Sequence, residues 1–177
     1  MLLQDKIVEF ILSKRCQVSP FTINTFFSDH GNVLPLVDNH PLVKKNRLGY
    51  YIHIFIVLLE SLVAQLQTTT TVNLNKFTDH ALFIGYITDN AKDCNVFVYF
   101  NSKHTKMYVK LQTVYNIYNT QSLLDCAKQS GMAGLCIENV YAEYDTAYSD
   151  VNTLVDKNIL LRTKTRLYFA ALAIPNI

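Results

Sequence analysis

The stretch 95–111 constrains this chain more than any other. It reads Asn-Val-Phe-Val-Tyr-Phe, a polar break at Asn101-Ser102-Lys103-His104-Thr105, then Lys-Met-Tyr-Val-Lys-Leu. The first limb is an unbroken run of β-branched and aromatic residues. The second alternates, with Met107, Val109 and Leu111 on one side and Tyr108 and Lys110 on the other. Two such limbs around a short polar break predict a hairpin, with one strand buried on both faces and the other having a face to water.

Much of the surrounding sequence reads as strands of the same antiparallel sheet. Residues 72–75 alternate, and 81–87 are apolar with Gly85 inside them, as at a bulge. A turn follows at 88–93, and 113–118 extend or follow the second limb of the hairpin. Asn119-Thr120 caps one helix at 121–129, with Leu123, Leu124 and Ala127 inward and Gly131 as its stop. Residues 135–141 read as another strand and 143–150 as a polar, irregular segment. Residues 159–161 and 167–174 are closing strands around the basic connector Arg162-Thr163-Lys164-Thr165-Arg166. Short antiparallel strands at this spacing predict a sandwich or partly closed barrel with one helix across it.

The first third has the helical period instead. Leu3, Ile7, Phe10 and Ile11 share a face opposite Asp5, Lys6, Glu9 and Ser13. Ser19-Pro20 offers an N-cap and a first-turn proline for a short helix at 21–27, closed by Gly31. Pro35 and Pro41 interrupt the chain between residues 32 and 46. The widest apolar stripe lies in 48–66, where Leu48, Tyr51, Ile52, Phe55, Leu59, Leu62, Val63 and Leu66 follow helical spacing. Such a stripe must be buried against the sheet, the first helix or a partner. The threonines from Thr68 to Thr71 then switch the period from helix to strand. The expected class is α+β: a helical N-terminal region, 1–67, followed by a β-rich domain, 68–177.

Composition narrows the function. A net charge of +2 sets up no long-range field for nucleic acid or an anionic membrane, so either would need a local patch. In 48–66, His53 and Glu60 make membrane insertion costly, which points away from a membrane partner. The amino-terminal Met-Leu-Leu-Gln-Asp-Lys-Ile-Val-Glu carries charges where a signal peptide needs an apolar core, and no Asn-x-Ser/Thr acceptor occurs. Cys16, Cys94, Cys126 and Cys136 form no Cys-x-x-Cys pair and read as reduced thiols of an intracellular protein.

Residues 72–87, the hairpin at 95–111 and the segment 135–146 (Leu-Cys-Ile-Glu-Asn-Val-Tyr-Ala-Glu-Tyr-Asp-Thr) together resemble the telokin-like proteins of nucleopolyhedroviruses. The resemblance covers roughly the last 105 residues by the order of strand signals. It implies an antiparallel β-barrel-like fold, no established enzymatic activity and a viral protein made in infected insect cells, in host cytoplasm or nucleus. It brings no catalytic residue with it.

No residue pattern points to a cofactor, a metal or a catalytic centre. His30, His40, His53, His80 and His104 show no zinc-ligand spacing, and the Asp29-His30 and Asp79-His80 dipeptides read as turn residues. Glu138, Glu143, Asp145 and Asp150 read as a solvated acidic loop rather than a cation site, since regular Asp-x-Asp-x-Asp-Gly spacing is missing. A barrel of the dUTPase type would need a Ser-Gly phosphate loop and a glycine-rich tail, whereas the five glycines here are scattered. The expected function is therefore non-enzymatic: contact with a protein partner or self-association, with Leu59 and Leu62 of the apolar stripe as contact residues. The alternative is a nucleotide or single-stranded nucleic-acid binder. It would use Arg162, Lys164 and Arg166, lined up on one side of an extended connector, with Lys103, Lys106 and Lys110 adding to the strip.

Overall fold

In the computed structural model, which describes residues 1–101 and 103–173, helices and small antiparallel sheets alternate along the chain. The order is α1 (Leu3–Ser13), α2 (Pro20–Phe26), β1 (Val43–Lys45), β2 (Tyr51–His53), α3 (Ile54–Thr68), β3 (Val72–Asn73), α4 (Ala81–Asp89), β4 (Val96–Phe100) and β5 (Met107–Leu111). Then come α5 (Thr120–Ser130), β6 (Leu135–Cys136), α6 (Ile137–Tyr141), α7 (Ala147–Asp156), β7 (Leu160–Arg162), β8 (Arg166–Phe169) and α8 (Ala170–Ala173). The α+β class holds. No closed barrel forms among the described residues, whose strands make one two-stranded and two three-stranded sheets, ordered β1-β2, β3-β5-β4 and β6-β8-β7.

Where local chemistry is strong, elements form as expected. Ser19 Oγ accepts from Thr22 N at 3.0 Å at the start of α2, with Pro20 in its first turn. At α5, Asn119 Oδ1 accepts from Ser122 N at 2.8 Å while Ser122 Oγ accepts from Asn119 N at 3.1 Å, a reciprocal capping box. The β4–β5 hairpin also forms, in the register Val96↔Leu111 to Phe100↔Met107.

Five segments differ. Helix α3 starts at Ile54 rather than at residue 48. Residues 46–50 instead make the β1–β2 turn, with Asn46 Oδ1 accepting from Leu48 N and Tyr50 N and Gly49 at φ +84°. Leu48 is consequently 81% exposed, while Tyr51 is fully buried in the N-terminal core. The expected strand at 81–87 is α4, whose Phe83 and Ile87 are both buried one helical turn apart. An apolar run of this length carries no period that separates strand from helix. The expected strand at 135–141 pairs with β8 only through Leu135 and Cys136, then becomes α6. The segment read as irregular from 143 holds the start of α7, with Ala147, Val151 and Leu154 on its buried face. Of the expected closing strand 167–174, β8 takes the first part and α8 follows, while residue 174 lies outside the described residues.

Three apolar cores run in sequence order. The first gathers Ile7, Ile11, Ile23, Val37 and Tyr51. The second unites Leu62 and Leu66 of α3 with Val72, Phe83, Ile87, Val96 and Val109. The third holds Leu123, Leu135, Val140, Val151 and Leu167. The middle core thus spans the 67/68 division, because α3 packs on the sheet that follows it.

Gly134 makes the turn into β6 at φ +64° and ψ 172°, a region open in practice only to glycine. A Cβ there would lie 2.7 Å from Tyr168 Cε1 and 2.8 Å from Leu167 O. Gly134→Ala is expected to lower stability by about 2 kcal/mol or more, read as a lower urea midpoint with an unchanged slope. A neutral substitution would mean that this turn relaxes.

Candidate functional site

The chain leaves β5 and folds back over the face of the hairpin opposite the middle core. Gln112 N donates to Asn95 O at 3.0 Å, and Thr113 N donates to Asn116 Oδ1 at 3.0 Å, with Asn116 in the left-handed region at φ +54°. This return sets the Ile117 carbonyl over Lys110, whose Nζ donates to Ile117 O at 2.6 Å, Glu143 O at 2.8 Å and Glu143 Oε2 at 3.1 Å. Glu143 also accepts from Tyr115 N at 2.8 Å, from Ile117 N at 2.9 Å and from the Thr113 hydroxyl. Lys110 and Glu143 are each 2% exposed. Burial pushes the Lys110 ammonium down from its ordinary value, and hydrogen bonding and attraction from Glu143 act against that.

The pair corrects two expectations. Lys110 does not join a basic surface strip, and Glu143 is no member of a solvated acidic loop. All three ammonium protons are engaged, and both carboxylate oxygens accept hydrogen bonds from within the chain. The pair is a structural tie between the middle and C-terminal parts of the molecule. A signal for it exists in the sequence: Val140, Tyr144, Ala147 and Val151 are buried at helical spacing, and Glu143 falls within that stripe.

Beside the tie, the same sheet face carries a row of aromatic rings. Tyr99 and Tyr108 are cross-strand partners with centroids 5.8 Å apart and planes 20° apart. Tyr118, delivered by the returning chain, stacks on Tyr99 at 4.1 Å and 22°. Phe97 lies 6.1 Å from Tyr99 and 5.9 Å from Tyr118. These four rings are half-buried, and burial raises the Tyr99 phenol above its usual range. A shallow pocket at one end of the row is lined by Phe100, His104, Tyr118, Asn119, Gln121 and Asp125, among others.

Arg162, Lys164 and Arg166 sit at the β7–β8 turn, but not on one side. Because Arg162 pairs with Leu167, strand alternation sends Arg162 and Arg166 to opposite faces. Arg162 Nη1 donates to Asn152 Oδ1 at 2.7 Å, and Arg166 Nη1 donates to the carbonyls of Ala133 and Gly134 at 2.7 and 3.2 Å. Leu62 has no exposed surface and Leu59 is partly buried against the same middle core, so α3 turns both inward.

The other candidates are dispersed. Asp145 accepts from Thr70, and Asp150 from Thr120, Tyr144 and Thr146. Among the described residues no three His, Cys, Asp or Glu side chains gather as metal ligands. All four cysteines are free, and burial pushes the Cys94 and Cys126 thiols up, away from the reactive thiolate. No helix among the described residues is long and apolar enough to cross a membrane. Compared with known proteins, the chain matches no family model and no curated sequence.

Proposed function

We propose that this is a binding protein without a reaction of its own, and that its contact surface is the aromatic face of the β4–β5 hairpin. The observation that carries the reading is the row Tyr108–Tyr99–Tyr118 with Phe97, half-exposed on one sheet face. Tyrosine offers a protein partner large, rigid contact area at low entropic cost, with a hydroxyl for orientation. A protein suits this row better than a single strand of nucleic acid. Bases need free ring faces, and here Tyr99 already stacks against two neighbouring rings. The division of Arg162 and Arg166 between opposite faces adds to that preference. An intracellular setting rests on the reading of the four cysteines as reduced thiols, and a viral one on the resemblance, of whose three stretches 95–111 forms both expected strands.

Hydroxyl-radical labelling tests the reading. Tyr99, Tyr108 and Tyr118 are expected to be labelled several-fold less in an extract of the producing cells than in dilute pure protein. A Tyr108→Ser variant with unchanged circular dichroism should lose that difference. Equal labelling in both samples would defeat the proposal. Salt-sensitive binding of an oligothymidylate, weakened in the same variant, would hand the surface to nucleic acid instead.

A further inference from the structure

We infer that the outer edge of β4 pairs with β4 of a second copy of this chain, joining two three-stranded sheets into one across a twofold axis. The inference goes beyond the contact reading above: it concerns the strand edge beside the aromatic face and names a second copy as its partner. β4 is an edge strand in the order β3-β5-β4. Gln112 N donates to Asn95 O and Asn101 N donates to Lys106 O, so the odd-numbered residues from 95 to 101 direct their backbone groups toward β5. The N–H and C=O groups of Val98 and Phe100 therefore point away from β5, and their N–H groups find no partner among the described residues. Val96 N is already engaged by Ala91 O at 2.9 Å, which leaves the Val96 carbonyl.

These groups are self-complementary. In an antiparallel pair centred on Val98, each Val98 N–H donates to the other copy's Val98 carbonyl, and each Phe100 N–H donates to the other copy's Val96 carbonyl. On the aromatic face, Phe97 then lies opposite the second copy's Tyr99, an aromatic cross-strand pair. At the two ends, the turn that carries Lys92 and Asp93, the latter paired with Arg15 at 3.2 Å while its side chain stays 64% exposed, comes beside the second copy's turn with Lys103 and Lys106.

Among the described residues the other sheet edges are protected and this one is not; β2 pairs on its outer side with Val18. β1 ends in Lys44-Lys45, β3 and β6 have two residues each, and β7 carries Arg162 and packs against α7. β4 has five residues, Val-Phe-Val-Tyr-Phe, with neither a charge nor a proline. Edges left in that state are templates for pairing, and proteins blunt them unless pairing is their use.

Sedimentation and amide exchange over a concentration series of the intact protein test the inference. The expected result is a dimer that dissociates on dilution. The Val98 and Phe100 amides should exchange about tenfold or more slowly in the concentrated sample. Val98→Pro removes the outward N–H, together with a side chain packed partly against the middle core, and should yield a monomer with unchanged circular dichroism. If that variant fails to fold, Phe100→Lys, at a side chain 47% exposed, takes its place with the same expectation. A wild-type monomer at every concentration, with both amides unprotected, would overturn the self-pairing. Tyrosine labelling that still falls in extract would in that case leave the broader contact reading standing, whereas unchanged labelling would remove both.

Discussion

Lys110→Met is expected to cost about 3–5 kcal/mol of unfolding free energy, the range for breaking one partner out of a buried ion pair. Methionine fills much of the same space, so the loss is electrostatic rather than a cavity effect. Glu143 would keep its hydrogen bonds from Thr113, Tyr115 and Ile117 but lose the only cation that touches it among the described residues. The carbonyls of Ile117 and Glu143 would lose their donor at the same time. Urea unfolding followed by circular dichroism measures the effect. A midpoint within error of wild type would mean that water already reaches the pair.

Replacing both charges with apolar groups often restores stability where an ion pair stands alone in a core. Here it should not. The pair also serves backbone: Glu143 accepts from Tyr115 N and Ile117 N, and Lys110 donates to two carbonyls. A Lys110→Met, Glu143→Leu chain orphans all of these groups, at roughly 1–3 kcal/mol for each one left buried. The double variant should therefore be no more stable than Lys110→Met alone. Recovery to wild-type stability would show that the returning chain from Thr113 to Tyr118 finds other partners.

The contrast with what the sequence predicts follows the range of each interaction. Ser19, Pro20, Asn119, Ser122 and Gly131 act within a few residues of themselves, and the elements they bound are legible in the sequence alone. The alternation of Met107, Val109 and Leu111 likewise places them correctly toward the middle core. By contrast, α4 is a short, mostly apolar run and α6 only five residues, Ile-Glu-Asn-Val-Tyr, and contacts with α3 or α7 distinguish a helix from a strand there. The turn at Asn46–Tyr50 defeats a stripe of apolar residues that fits a helix well, because Gly49 and the Asn46 side chain stabilise a local hairpin. Lys110 and Glu143 lie 33 residues apart. A lysine alternating with tyrosine on an outer strand face is normally solvated, and only the return of the chain at Asn116 buries it. The aromatic row is half legible: register alone pairs Tyr99 with Tyr108, whereas Tyr118 reaches them through that same return.

His53 makes stability depend on pH in a narrow and checkable window. It ends β2, and its Nδ1 accepts from Phe55 N at 3.1 Å, which caps α3 with a side chain 1% exposed. The ring packs edge-on against Phe55 at 4.5 Å. Burial is the main reason its pKa falls from 6.5 to about 4, and the neighbouring His40 adds like-charge repulsion. Capping through Nδ1 also needs the neutral ring, since imidazolium has no acceptor. The folded state thus resists protonation and the unfolded state does not. Its contribution is complete above the unfolded pKa of 6.5 and is lost as pH falls from there toward 4. A depression of this size corresponds to about 3 kcal/mol. Urea midpoints should accordingly fall steadily between about pH 7 and about pH 4. His53→Asn retains a capping oxygen and removes the titration, so its midpoints should stay nearly level across that interval. A variant that loses stability in parallel with wild type would assign the pH dependence to other groups and leave His53 as a cap alone.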